Sequence, residues 1–88
     1  MAKDIQVSLV SADREIWSGD ASMVVAKTTV GEIGLLAGHE PLLAILAPGE
    51  IRISTRDGEK VVARTEAGGF LSMESDVVTV VVRDATLQ

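Results

Sequence analysis

The chain has 88 residues, 47% of them apolar, with 13 acidic and 8 basic side chains for a net charge of −5, and it contains no cysteine. That length supports one compact core, so residues 1–88 are expected to form a single domain. The excess of acid argues against a nucleic-acid partner, and the lack of cysteine rules out disulfides and thiolate metal sites.

No signal-peptide pattern opens the chain, and no uncharged apolar run reaches the roughly 18 residues of a membrane-spanning helix, so direct membrane insertion is not expected. Aromatic residues make up only 2% of the sequence, and the apolar bulk is Val, Ile, Leu and Ala. Val and Ile favour pleated strands.

"DIQVSLVSA" alternates Ile5, Val7 and Leu9 with Gln6 and Ser8, the period of a strand with one buried face. "REIWSGD" is a short segment closed by Ser18, Gly19 and Asp20, with Ile16 and Trp17 anchoring the connection. "ASMVVAKTT" then reads as a second long strand, with Val25 facing the core. "VGEIGLL" carries Gly31 and Gly34 three apart, which suits a hairpin turn and a short return strand with Glu32 near the tip.

"AGHEP" breaks the chain again, because Pro41 lacks an N–H and holds Glu40 extended. "LLAILA", six residues between Pro41 and Pro48, is too short for a stable helix and is expected to be a strand. From there strands alternate with turns: "EIRIST", "RDGE", "KVVART", "GGFLSM", "ESD" and "VVTVVVR". Asp57-Gly58 is a strong hairpin signal. "VVTVVV" carries Val on both faces, as in a strand enclosed between layers.

Turn signals every 8 to 12 residues or so, without helical periodicity, predict an all-β antiparallel sandwich or small barrel. Its core is expected to hold Ile5, Val7, Leu9, Val25, Ile53, Val78 and Val80.

Chemistry-bearing residues are sparse. His39 is the single histidine, and a zinc site needs three or four ligands, whereas its neighbours Glu32 and Glu40 offer only loop carboxylates. It reads as a turn or interface residue. Most acids fall in turns, at Asp13, Asp20, Asp57, Glu59, Glu74 and Asp76, with no pair set for glycoside hydrolysis. Gly31 and Gly34 make no phosphate cradle, since no Lys-Ser/Thr follows them. The expectation is a chain with no catalytic residues, no metal and no cofactor.

The stretch "GEIGLLAGHEPLL" followed by "LAPGEIRI" resembles the pattern G-E-[LI]-G-[IVL]-x-x-G-H-x-P-L-L…P-G-x-[IVM]-R of the epsilon subunit of the F-type ATP synthase. "VSADREIWSGDASMVVAKTT" and "GGFLSMESDVVTVVV" are similar to that family's opening and closing motifs, and "DREIWSG" looks like its actinobacterial members. The resemblance covers nearly all of Ile5 to Ala85.

It implies an antiparallel β-sandwich of about ten short strands. It also implies a non-catalytic role in the central rotor, linking the gamma subunit to the c-ring and coupling proton translocation to ATP synthesis. The helical pair that follows the sandwich in most members, and restrains ATP hydrolysis in many, has no expected counterpart within these 88 residues.

By the same resemblance, Glu32, Ile33 and Gly34 would meet the c-ring loop, and Ser11, His39 and Ala44 would lie against gamma. The chain would then sit peripherally at the cytoplasmic face of a bacterial plasma membrane. The alternative is a free-standing ligand-binding or scaffold sandwich.

Overall fold

The computed structural model describes residues 4–87. Eight strands follow in chain order: β1 (Ile5–Val10), β2 (Glu15–Thr28), β3 (Gly31–Leu35), β4 (Leu42–Thr55), β5 (Lys60–Thr65), β6 (Gly69–Glu74), β7 (Val77–Val82) and β8 (Thr86–Leu87). Their order across the sheet is β3-β2-β1-β7-β6-β4-β5-β8, and an extra β2–β4 pairing closes it on itself. All pairs are antiparallel except β1 with β7, which run parallel.

Two strands of 14 residues serve both layers of the sandwich. The first half of β2 pairs with β1 and its second half with β3 and β4, while the first half of β4 pairs with β6 and its second half with β5. Counting each half separately gives ten short strands, in line with the about ten that the family resemblance implies.

The sequence breaks predicted within these strands do not interrupt them. Ser18-Gly19-Asp20 stays in the β1–β2 ladder because Gly19 makes room for the indole of Trp17, whose ring carbon lies 3.1 Å from where a Cβ would stand. Pro48 falls where β4 leaves β6 for β5, a place without a ladder hydrogen bond for its missing N–H to donate.

The core lies between the layers and includes Ile5, Val7, Leu9, Ile53, Val78 and Val80 as expected, joined by Val24, Leu35, Ile51, Leu71 and Met73. Val25 is the exception. A bulge in β2 between Ala21 and Met23 inserts one residue against β4, so the inward set passes from Ala21 to Val24, Ala26 and Thr28. Val25 therefore points outward, half-buried, opposite Arg52. Ile16 and Trp17 are half-buried against the core, in the anchoring role expected of them.

Candidate functional site

The β2–β3 hairpin is built around Thr28. This buried side chain donates its hydroxyl to the Gly31 carbonyl at 2.6 Å and accepts the Val30 N–H at 3.2 Å, fixing the turn from inside. Thr29 and Val30 form the tip, and Val30 is 93% exposed. Glu32 lies one step further back than expected, as the second residue of β3 opposite Lys27. Its carboxylate accepts a hydrogen bond from Arg52 Nη2 at 3.0 Å. Gly34 is exposed beside Val25, whereas Ile33 packs against the core.

Strand registers place Ser11 and His39 at opposite ends of one layer. Ser11 follows Val10 at the end of β1 and donates its hydroxyl to Asp13 Oδ1 at 3.0 Å. His39 lies in the loop between β3 and β4, and that loop is held at the other end, where the Gly38 N–H meets Asp76 Oδ1 at 2.7 Å and the Gln6 N–H meets the Asp76 carbonyl at 2.9 Å. From Gln6 to Ser11 the strand rises roughly 17 Å. The His39 ring is exposed, with Nδ1 2.8 Å from the Glu40 carbonyl oxygen. Ala44 is half-buried on the inward side of β4, between the outward side chains Leu43 and Ile45.

Between those two ends lies a sheet face that the sequence reading did not single out. Its outer surface forms three cross-strand rows. Ile45, Phe70, Val81 and Val10 stand side by side in one row, and Leu43, Ser72, Thr79, Ser8 and Ser18 in the next. Val77 and Gln6 continue the third, with Glu74 and Asp20 at its two ends.

Leu43 is 70% exposed and Ile45 59%, with Phe70 and Val77 also open to solvent. No charged side chain stands in the first two rows between β4 and β1. A groove of about 400 Å³, lined by Gln6, Ser8, Ser18, Val77 and Thr79 among others, runs across the same face and also lacks charge.

The sequence did carry a signal for this surface. "LLAILA" and "VVTVVV" are apolar on both faces, which suggests enclosure between layers, yet Val78, Val80 and Val82 face the core while Val77 and Val81 face outward, Val77 exposed and Val81 half-buried. An apolar outer face on a two-layer sandwich marks a surface of interaction. The opposite layer contrasts with it, its outer side carrying Lys27, Glu32, Glu50, Arg52 and Arg64.

No group of three or more His, Asp or Glu side chains is arranged to hold a metal among the described residues. The arrangement is one of surfaces: a sheet face with two uncharged rows and a third that ends in Glu74 and Asp20, bracketed by the Ser11 and His39 loops, and a charged hairpin on the opposite layer.

Comparison with known proteins agrees with that geometry. Residues 4–88 match the family model for the ATP synthase delta/epsilon chain β-sandwich domain. The ATP synthase epsilon chain of Streptomyces avermitilis is 47% identical over 87 residues, covering 99% of this chain and 69% of its own length. That of Corynebacterium diphtheriae is 54% identical over 78 residues, covering 88% of this chain and 63% of its own length. The epsilon chain of Micrococcus luteus is 46% identical over 84 residues and is itself 91% covered. All three organisms are actinobacteria, the group to which "DREIWSG" points.

Among solved structures, a chain of the Euglena gracilis mitochondrial ATP synthase OSCP/F1/c-ring assembly superposes with a TM-score of 0.89 at 29% identity. The match covers 96% of this chain and 53% of the Euglena chain, so this sequence spans about half of that chain's length. A chain from the central stalk and c-ring of the Tetrahymena thermophila enzyme shares the fold, with a TM-score of 0.73 at 18% identity. The chain belongs to the ATP synthase delta/epsilon family, through that family's β-sandwich domain.

Proposed function

We propose that this chain is a non-catalytic subunit of the central stalk of an F-type ATP synthase, coupling proton flow to ATP synthesis by joining the gamma subunit to the c-ring. The observation that carries the reading is the pair of uncharged rows crossing the outer face from the first half of β4 to β1, in a chain whose family relatives are epsilon subunits. Burying such a face against gamma removes apolar area from water at roughly 25 cal/mol per Å² and requires no charge to be desolvated.

Ser11 and His39 bracket this face, so one partner lying along the strands would touch both. Leu43 and Ile45 would make the contact on β4, with Ala44 behind them. The β2–β3 hairpin would meet the polar loops of the c-ring through Glu32 and Gly34, while Ile33 supports the strand from the core side. Glu32, already held by Arg52, would offer an oriented carboxylate to a basic loop. In a bacterial cell the assembly would hold the chain at the cytoplasmic face of the plasma membrane, as a peripheral component.

Co-purification with F1 from a strain lacking its own epsilon tests the proposal. The chain is expected to bind stoichiometrically and restore coupled proton pumping. Failure to bind F1 or isolated gamma would reject the reading.

A further inference from the structure

The turn between β6 and β7 holds two non-glycine residues in the left-handed region, Ser75 at φ 51° and Asp76 at φ 62°. A two-residue hairpin loop of this kind demands positive φ at both positions, and glycine satisfies that demand with least strain. Asp tolerates the region better than most residues but still costs more than glycine, and here its carboxylate makes a contact outside the turn.

That contact lies across the chain. Asp76 Oδ1 accepts the Gly38 N–H at 2.7 Å, 38 residues away in sequence, while the Asp76 carbonyl accepts the Gln6 N–H at 2.9 Å. One residue thus ties the β6–β7 turn to the start of β1 and to the loop that carries His39.

That loop has few other restraints. Ala37 packs against the core and the His39 N–H reaches the Leu36 carbonyl at 3.2 Å, but Leu36, His39 and Glu40 are exposed. Gly38 stands at φ 85°, a conformation that leaves its N–H aimed at the carboxylate and that a side chain would resist. Hydrogen bonds to an ionised acceptor are about twice as strong as neutral ones. Among the described residues, the Asp76 carboxylate supplies the one side-chain hydrogen bond that joins the loop's backbone to another element.

We infer that Asp76 is a positioning residue: its carboxylate fixes the loop of residues 36–41, and with it His39, at the end of this sheet face so that the loop meets the gamma subunit already formed. The clamp itself stands on the geometry above, whereas its consequence for gamma rests on the proposed function. Pre-ordering of this kind raises affinity by removing the entropy cost of fixing the loop on binding.

Two substitutions separate the carboxylate from the backbone. Asp76→Gly keeps the positive φ and the carbonyl bond to Gln6 but removes the acceptor for Gly38. Asp76→Asn keeps an oxygen acceptor and a residue that tolerates the left-handed region. Amide hydrogen exchange on the full chain should show Gly38 protection falling about tenfold or more in Asp76→Gly and largely retained in Asp76→Asn, with Leu71 and Val80 unchanged in both.

Affinity for gamma should fall several-fold in Asp76→Gly and recover in Asp76→Asn. Unchanged Gly38 exchange in Asp76→Gly overturns the clamp, and so does an equal loss of protection at Leu71 and Val80, which would assign Asp76 to general stability. An opened Gly38 with unaltered gamma affinity overturns the positioning role. If gamma binds neither the parent chain nor either variant, the proposed function fails, and the exchange at Gly38 still decides the clamp.

Discussion

Arg52 reaches across β2 from its place opposite Val25 to hold the Glu32 carboxylate at 3.0 Å, while Lys27, the residue directly opposite Glu32, lays its stem over Gly49 instead. The acidic residue of the hairpin is thus already partnered within the chain. A c-ring loop that engages it must share or displace Arg52.

This relationship sets the expected behaviour of Glu32. The pair is about half exposed on each side, so its worth to stability is only about 0.2–1 kcal/mol, and Glu32→Gln should leave urea unfolding almost unchanged. Glu32→Lys places a third cation beside Lys27 and Arg52, which opposes a basic partner loop. ATP-driven proton pumping in reconstituted enzyme should fall while hydrolysis persists, and added salt should lessen the defect. Full pumping by Glu32→Lys at low salt would remove Glu32 from the coupling path.

Arg52→Gln tests the same pair from the other side. It frees the Glu32 carboxylate without touching the hairpin backbone that Thr28 holds. Stability should change by less than about 1 kcal/mol, and engagement of a basic loop should be equal or stronger, read as pumping at low salt. Collapse of the hairpin, seen as lost amide protection at Val30, would show that Arg52 supports structure instead.

The β2 bulge predicts a contrast between neighbouring valines. Val24 is fully buried and Val25 is turned outward by the extra residue near Ser22. Val24→Ala should cost roughly 1–3 kcal/mol and Val25→Ala less than about 1 kcal/mol, measured by urea unfolding. Equal losses would mean that the register shift is absent in solution.

Trp17, the one tryptophan of the chain, reports on its own packing. Gly19→Ala puts a methyl about 3.1 Å from the indole, tighter than ordinary contact, so the ring must shift. Overpacking of this kind costs about 1–3 kcal/mol, and the fluorescence maximum should move to longer wavelength as the ring is pushed toward water. An unchanged spectrum and midpoint would show that the ring gives way freely.

Much of this arrangement is legible from residue order. Alternation fixes the core faces of β1 and β7 because each side of these strands keeps one environment along its whole length. It fails at Val25 because a bulge shifts the parity of β2 without any Gly or Pro to announce it. From sequence alone Gly19 and Pro48 mark strand ends, because Gly and Pro usually punctuate strands. In the fold, Gly19 makes room for Trp17 and Pro48 occupies the change of layer in β4.

The uncharged rows of the outer face were hidden for a related reason. Apolar residues on both sides of a strand look the same whether the second cover comes from the same chain or from another, and only the three-dimensional layer order shows which side stays open. The His39 loop was visible as a Gly-Pro-punctuated break, but its tie to Asp76 joins residues 38 apart and has no local signature.

If the face carrying Leu43, Ile45 and Phe70 seats the gamma subunit, the affinity of purified gamma for Ile45→Asp, set against that of the parent chain, reports it without intermediate steps. Ile45 stands on the outer face beside Phe70 and outside the core, so the variant should unfold within a few degrees of the parent. A carboxylate buried without a partner in an apolar interface should weaken binding a hundredfold or more, on the order of 3 kcal/mol. Undiminished affinity in a folded Ile45→Asp chain would rule out this seat and move the gamma contact to another surface.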